Sequence, residues 1–540
     1  MQDILFEIVE RRKRDIAQEG YGLGSCVPPE RERKGVVPFV DRKCAVLEVK
    51  RASPSKGDIA PDLDAGATAG MYAAAGAGAV SVLTERHWFK GSLDDLRAVC
   101  AAVDEYAERT GSARIAVLRK DFLLSPEEVD VAYRCGADAV LLISRILSTE
   151  DMISMARRCE HYGMTAFIEL RLPEDVQKFA EVCRNVSPRH LVCGVNSRDL
   201  SDFSVDLLMP CRMLPLIRSA AGEDARVIFE SGIRSARAAS FVGSLGFTGL
   251  LLGEAAARNP DNAKDFVGNF LRAETDACGR AWLEYSDFLR QREISSQKRS
   301  CAHDRASASK PLVKICGLTR TEDALYAAAG GASFLGFIFW KGTERNADPA
   351  VVLEVRKIID GHFKEPVRNT DGSEDPDDAA PKLVGVVVDC TSDESLKAID
   401  LVRSGTLDFL QLHGERAVRE FFADDSLADL PHYCVVNVSS EADLERFDFL
   451  RLLGEPRILV DSKTDGKVGG TGIVISAGLT EKISAKTKLW LAGGINPLNV
   501  ADIIRDAGPE LIDVNSGVES EPGVKDKEKM LALFEAVESV

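Results

Sequence analysis

The chain has 540 residues, 45% of them hydrophobic and 6% aromatic, which is enough for roughly two to four domains with large buried cores. A net charge of −17 excludes nucleic acid and an anionic membrane surface as the main partner, so any anionic ligand must be held by local groups. Thirteen cysteines without a CxxC pair and only seven histidines argue against a disulfide framework or a metal cluster and fit reduced thiols in a cytoplasmic setting.

The N-terminal stretch MQDILFEIVERRKRD lacks a continuous hydrophobic signal core and reads as an amphipathic helix followed by basic residues. No apolar run in the chain approaches the roughly 18 residues of a membrane span. Runs of branched apolar residues then recur at 44–49, 80–83, 115–119, 139–143, 165–169, 191–196, 226–230 and 250–253. Stretches such as 94–109 and 174–185 lie between them, each with apolar residues three or four apart and long enough for one helix. Continuous apolar strands alternating with helices require a parallel sheet covered on both sides. Eight such units over residues 1–275 predict an α/β fold closed into a (β/α)8 TIM barrel behind an N-terminal helical extension.

The count restarts at 312–316 and continues with 334–340, 383–389, 409–413, 434–438, 458–461, 489–494 and 511–515, predicting a second (β/α)8 barrel over 311–540. Residues 276–310, with the polar stretch QREISSQKRSCAHDRASASK, read as an exposed, partly helical linker. The acidic segment NTDGSEDPDDAA at 369–380 reads as a solvated loop.

A barrel supports many chemistries, but its active site forms where strands end in loops. In the first half those ends carry Glu48, Lys50, Lys120, Glu169, Asn196 and Glu230. Glu48 and Lys50 are two apart and point the same way, into the mouth. Two lysines and three carboxylates from alternate strands suit general acid and base roles. Glycines in ESGI (230–233) and LLLGEAAA (250–257) follow strands seven and eight, where backbone N–H groups bind phosphate. The second half repeats this arrangement with LAGGI (491–495) and VNSGVE (514–519), so both barrels should bind phosphorylated small molecules.

With LEVKRASPSKG, SVLTE, LRKDF, FIEL, GVNSRDL and FESGI in order, the first half resembles indole-3-glycerol-phosphate synthase over essentially the whole domain. The second half, with KICGLT, LQLHG, ILVDS, GGTG, LAGGI and DVNSGVE, resembles phosphoribosylanthranilate isomerase. The resemblance implies a bifunctional enzyme family of tryptophan biosynthesis. It acts on phosphorylated anthranilate-sugar substrates, needs no cofactor or metal, and has no obligatory protein partner.

For the first barrel the resemblance makes Lys120 the acid that protonates the ketone and Glu169 the acid/base of the later dehydration. Glu48, Lys50, Asn196, Glu230 and Ser231 form the surrounding shell, and Lys50 also faces the phosphate. Arg198 would pair with the anthranilate carboxylate, while Trp88, Phe89 and Phe122 would wall its ring. Ser53, Gly232, Gly253 and Glu254 complete the substrate contacts. For the second barrel, Cys316 matches the base and Asp461 the acid of an Amadori rearrangement. Arg345, His413, Gly470, Gly493, Gly494, Asp513, Ser516 and Gly517 match substrate-binding positions.

A thiol whose ordinary pKa is near 8.5 must lose its proton to act, so N–H groups or a cation should lie beside Cys316. The second half departs from its family at Thr343 and Glu344, where Ser-Pro is usual, at IVISAG through Ile475, and at Asn437, where a lysine is common. Two alternatives follow: a second barrel that has become a non-catalytic phosphate-binding module, or a pair of barrels acting on another Amadori compound, for which paired aspartates would be expected.

Overall fold

The computed structural model describes residues 4–199, 204–300, 310–362, 379–462 and 476–540, the side chains of 296–300 excepted. The chain divides into two compact units, Met1–Thr275 and Asp276–Val540. Among the described residues no helix is long and apolar enough to cross a membrane.

The first unit is a closed eight-stranded parallel barrel. Its strands are Cys44–Val49, Ala79–Leu83, Ala116–Lys120, Ala139–Ile143, Thr165–Leu170, Leu191–Asn196, Val227–Glu230 and Gly249–Leu252. Closure is direct, because the first strand pairs with the second (Val46 beside Ala79) and with the last (Cys44 beside Gly249). The strands are buried on both faces, which explains why their apolar runs are continuous rather than alternating. Val46, Leu118, Leu141, Phe167, Ile228 and Leu251 pack into the barrel interior. Phe39, from the approach to the first strand, lies 5.7 Å from the Phe167 ring and fills the end where strands begin.

The N-terminal helix, Ile4–Glu19, buries Leu5, Ile8 and Val9 on one face. Arg12, on the same face, pairs with Glu128 at 2.6 Å and with Asp121 at 3.1 Å. Asp121 directly follows the third strand, so this ion pair draws the helix to the rim where strands end.

The second unit is another closed parallel barrel, with strands Leu312–Ile315, Phe334–Ile338, Lys382–Val387, Phe409–His413, His432–Val438, Ile458–Ser462, Trp490–Ala492 and Leu511–Val514. The seventh strand stops short of its predicted end because Gly493 and Gly494 turn to φ +94° and +65°, a region that suits glycine and cannot continue a strand.

The segment expected to be a linker differs from that expectation. Over Ala277–Ser300 it is a helix that belongs to the second unit. Trp282 and Tyr285 on it are fully buried. The Trp282 ring lies 5.2 Å from Phe409 and 6.3 Å from Trp490, and Tyr285 packs on Phe334 at 6.1 Å. Phe409, Trp490 and Phe334 each begin a strand, so the helix closes the barrel at its lower end. The Tyr285 hydroxyl donates to Glu510 at 3.0 Å. The remainder of the expected linker, 301–309, and residues 369–378 of the acidic loop lie outside the described residues.

Candidate active sites

In the first barrel the rim residues converge on a cavity of about 180 Å³ lined by Glu48, Lys50, Lys120, Glu169, Asn196 and Ser231. Each is delivered by a strand end, so parallel strands with equal register bring residues far apart in sequence to one level. Lys120 Nζ lies 2.9 Å from Glu230 Oε2 and 3.4 Å from Glu48 Oε2, while Lys50 Nζ lies 3.3 Å from Glu48 Oε1. Glu230 thus belongs to the cluster through Lys120.

These groups are buried, and their neighbours separate their proton affinities. Burial opposes the Lys120 ammonium, but Glu230, Glu48 and Glu169 outweigh it and hold its pKa above the ordinary lysine value. Burial followed by the Glu230 charge pushes Glu169 upward, against the pull of Lys120. Glu48 feels burial too, yet Lys50 and Lys120 draw it below the usual carboxylate range. A lysine that is charged at neutral pH therefore shares the cavity with a carboxyl group that holds its proton readily, an arrangement suited to acid and base steps.

Around this cluster, Phe89 and Phe122 line the cavity with ring centroids 6.0 Å apart, and Lys50 Nζ sits 5.4 Å above the Phe89 ring. Ser53, Arg198, Gly232, Gly253 and Glu254 also line it. The chain turns at Ser231 and Gly232, with φ +70° and +81°. A side chain at Gly253 would strike Glu48 Oε1, its β-carbon falling 2.5 Å away, so glycine lets that backbone approach the mouth. The Glu254 carboxylate turns to Arg234 at 3.5 Å and Arg258 at 3.2 Å.

Trp88 departs from expectation. It lies outside this cavity, with its ring 5.8 Å from His87 and in a separate surface depression with Phe6 and Glu10. Its neighbour Phe89 faces inward, because Glu85 accepts hydrogen bonds from the backbone N–H groups of His87, Trp88 and Phe89 and bends the loop tightly. Sequence reasoning missed the opposite wall, which Ile4, Leu5 and Ile8 of the N-terminal helix supply. The available signal was the apolar face of that helix, whose spacing is legible but whose docking site is not.

In the second barrel Cys316 follows the first strand, Asp461 is the penultimate residue of the sixth, His413 ends the fourth and Asp513 lies in the eighth. Lys314 connects them: its Nζ lies 3.5 Å from Cys316 Sγ and 2.6 Å from Asp513 Oδ2. Burial raises the Cys316 thiol and Lys314 pulls it down. Burial and the nearby Asp513 charge push Asp461 up to about 6, with Lys314 opposing. Cys316 and Asp461 thus respond to the same lysine–aspartate pair. Burial, followed by Lys314, lowers the His413 imidazole and favours its neutral form.

Arg345 is held by Glu519, with Nη2 2.7 Å from Oε2 and Nε 3.0 Å from Oε1. Lys525 Nζ joins the same carboxylate at 3.0 Å. Gly317, with φ +70°, leaves room for Arg345, whose Cδ would lie 3.1 Å from an added β-carbon. Gly493 does the same for Asp461 Oδ1, 2.7 Å from an added β-carbon, and a β-carbon at Gly517 would fall 2.0 Å from the Ile495 carbonyl oxygen, so glycine lets the loop after Ser516 lie against it. Asn437, exposed near the end of the fifth strand, pairs in register with Asp461. Gly470 and Ile475 lie outside the described residues.

Comparisons with known proteins agree with this division. The family model for indole-3-glycerol phosphate synthase matches residues 31–267, and that for N-(5'phosphoribosyl)anthranilate (PRA) isomerase matches 313–536. A "Multifunctional tryptophan biosynthesis protein" of Schizosaccharomyces pombe is 32% identical over 518 residues, which is 92% of this chain but 59% of that protein. The chain therefore spans somewhat over half the length of that relative. "Tryptophan biosynthesis protein TRP1" of Phytophthora nicotianae is 31% identical over 504 residues, covering 86% of each chain. Among solved structures, phosphoribosyl anthranilate isomerase from Thermotoga maritima aligns with 43% of this chain and all of its own, at 29% identity and a TM-score of 0.35. The chain belongs to the family of tryptophan-biosynthesis proteins in which an indole-3-glycerol phosphate synthase domain is followed by a phosphoribosylanthranilate isomerase domain.

Proposed function

We propose that the chain carries out two consecutive reactions, the second barrel isomerising N-(5-phosphoribosyl)anthranilate and the first closing the resulting ketone to indole-3-glycerol phosphate. One observation carries this reading: each rim gathers buried titratable groups from separate strands, Lys120 beside Glu230 and Glu48 with Glu169 in the same cavity in the first barrel, and Cys316 and Asp461, both acted on by Lys314 and Asp513, in the second. The relatives' names and the ordered domain matches support it.

In the second barrel, Asp461 protonates the ribose ring oxygen and the C1–O bond breaks, leaving an iminium at C1. The Cys316 thiolate takes the C2 proton, and the electron pair of that bond neutralises the iminium as an enamine, which tautomerises to the ketone. An Asp461 raised to about 6 retains a proton to give at weakly acidic pH. Arg345, oriented by Glu519, faces the anthranilate carboxylate, and the loops at Gly493–Gly494 and Ser516–Gly517 receive the phosphate.

In the first barrel, Lys120 donates a proton to the ketone oxygen, making its carbon electrophilic to the ring carbon that bears the carboxylate. Carbon dioxide leaves once the new C–C bond has formed. Glu169, with its raised proton affinity, then assists loss of the hydroxyl as water. Glu48 and Glu230 keep Lys120 charged and aimed. Lys50 and the turns at Ser231–Gly232 and Gly253 take the phosphate, while Arg198 takes the carboxylate. The reading includes a cytoplasmic location, with which the twelve described cysteines, all free, are compatible.

The test supplies phosphoribosylanthranilate to the purified chain and follows the carboxyphenylamino ketone and indole fluorescence together. Both should appear in sequence. Cys316→Ala should abolish the first product while leaving turnover of added ketone intact, and a variant losing both activities would contradict two separate sites. No observation favours a non-catalytic second barrel.

A further inference from the structure

Lys314 is fully buried, lies in the first strand two residues before Cys316, and has no part in the chemistry above. An ammonium group has three hydrogens to place and cannot be buried without acceptors for them. Three are present: Asp513 Oδ2 at 2.6 Å, Gln411 Oε1, and Cys316 Sγ at 3.5 Å. Gln411 is itself fixed from beneath, since the Tyr433 hydroxyl donates to the same Oε1 at 2.8 Å. A column of side chains from three strands, Tyr433, Gln411 and Lys314, therefore rises through the barrel and ends against the sulfur. On the other side, a β-carbon at Gly336 would lie 2.8 Å from Cys316 Sγ, so the sulfur has room only because that neighbour is glycine.

We propose that Lys314 is a positioning residue for Cys316: its ammonium, seated by Gln411 and Asp513, balances the charge of the thiolate and keeps the sulfur aimed at the mouth. This rests on the reading of Cys316 as the base. The other charges around the sulfur are Asp513, which opposes thiolate formation, and the cations Lys525 and Arg345. Both cations are already committed to Glu519, at 3.0 Å and 2.7 Å. Tyr433 also faces the cluster and is held in its protonated form by burial. Lys314 is the cation in contact. Burial alone would leave the thiol protonated, and Lys314 is the contact that opposes it.

The experiment uses the full chain and measures the rate of Cys316 alkylation by iodoacetamide against pH, read by mass spectrometry of the Cys316 peptide, beside the isomerase pH profile. Lys314→Met should move the alkylation midpoint upward by about one pH unit or more, and lower isomerase turnover at neutral pH by about tenfold or more. Lys314→Arg keeps the charge and should hold the midpoint within a few tenths of the parent. Gln411→Glu is isosteric and draws the ammonium down between two carboxylates, so it should also move the midpoint upward.

An unmoved midpoint in a folded Lys314→Met protein with lost activity would overturn the proposal, leaving Lys314 as a core ion pair. Should Lys314→Met not fold, an unmoved midpoint in Gln411→Glu would overturn it equally. Retention of isomerase activity by Cys316→Ala would instead remove the base reading on which the proposal stands.

Discussion

Lys120 Nζ and Glu230 Oε2 meet at 2.9 Å, although the two residues end the third and seventh strands of the first barrel and are 110 positions apart in the chain. The contact holds the ammonium in a buried mouth where burial alone would discharge it. Lys120→Ala should lower indole-3-glycerol phosphate formation by roughly 10² or more and leave the isomerase unchanged. Glu230→Gln removes the carboxylate that raises Glu169 and supports Lys120, so the pH profile of the synthase should move to lower pH as its rate falls. Steady-state assays of both activities on each variant check this.

Asp461 offers a test of stability against function. Burial raises its folded-state pKa to about 6, above the ordinary aspartate value near 3.9. The folded state therefore binds the proton more tightly than the unfolded one, and stability declines as pH rises from about 4 to 6. Asp461→Asn should stabilise the second barrel by about 3 kcal/mol at pH 7 and by nothing below pH 4, while abolishing isomerisation. Urea titrations followed by tryptophan fluorescence suit this barrel, since three of the four tryptophans lie in it. Equal stability of variant and parent at pH 7 would refute the argument.

The N-terminal helix is held to the first barrel's rim by Arg12, which is buried between Glu128 and Asp121. Arg12→Met leaves the buried Glu128 without its cation, while Asp121 keeps Arg119, and should cost about 3 kcal/mol, releasing the helix to proteolysis before the barrel unfolds. Leu5→Ala thins the cavity wall but keeps the Arg12 ion pairs, and should raise the synthase KM about tenfold while leaving the helix more resistant to proteolysis than in Arg12→Met. Limited proteolysis and Michaelis kinetics distinguish the two outcomes.

The helix Ala277–Ser300 closes the lower end of the second barrel, so a fragment beginning at residue 311 lacks part of its own core. Residues 276–540 should fold and isomerise alone, whereas 311–540 should aggregate or bind hydrophobic dyes. In the full chain, Trp282→Ala should cost about 3 to 5 kcal/mol in the second barrel and spare the synthase. Equal activity of the two fragments would show that this helix is dispensable.

The strands were legible because their signal is local. A parallel sheet buried on both faces needs unbroken branched apolar runs, and runs such as 44–49 and 139–143 are strands with those bounds. Residues at strand ends were legible for a related reason: once the barrel is closed, Glu48, Lys120, Glu169 and Glu230 can only face one mouth. The helix at 277–300 was not read as core, although Cys278, Trp282, Tyr285 and Leu289 form an apolar stripe at helical spacing. Polar neighbours masked it, and a stripe does not say what it will pack against.

By itself, then, the order of apolar runs and polar strand ends determined two barrels and the rim at which residues such as Glu48, Lys120, Glu169 and Glu230 gather. The tertiary structure alone decided that Trp88 turns away while Leu5 and Ile8 turn in, that Glu519 claims Arg345, and that Lys314 rather than a loop amide stands beside Cys316. The physical reason is range. Periodicity along a strand follows from bonds between neighbouring residues, whereas a buried charge finds its partners across the barrel, at distances of about 3 Å that only the closed fold creates.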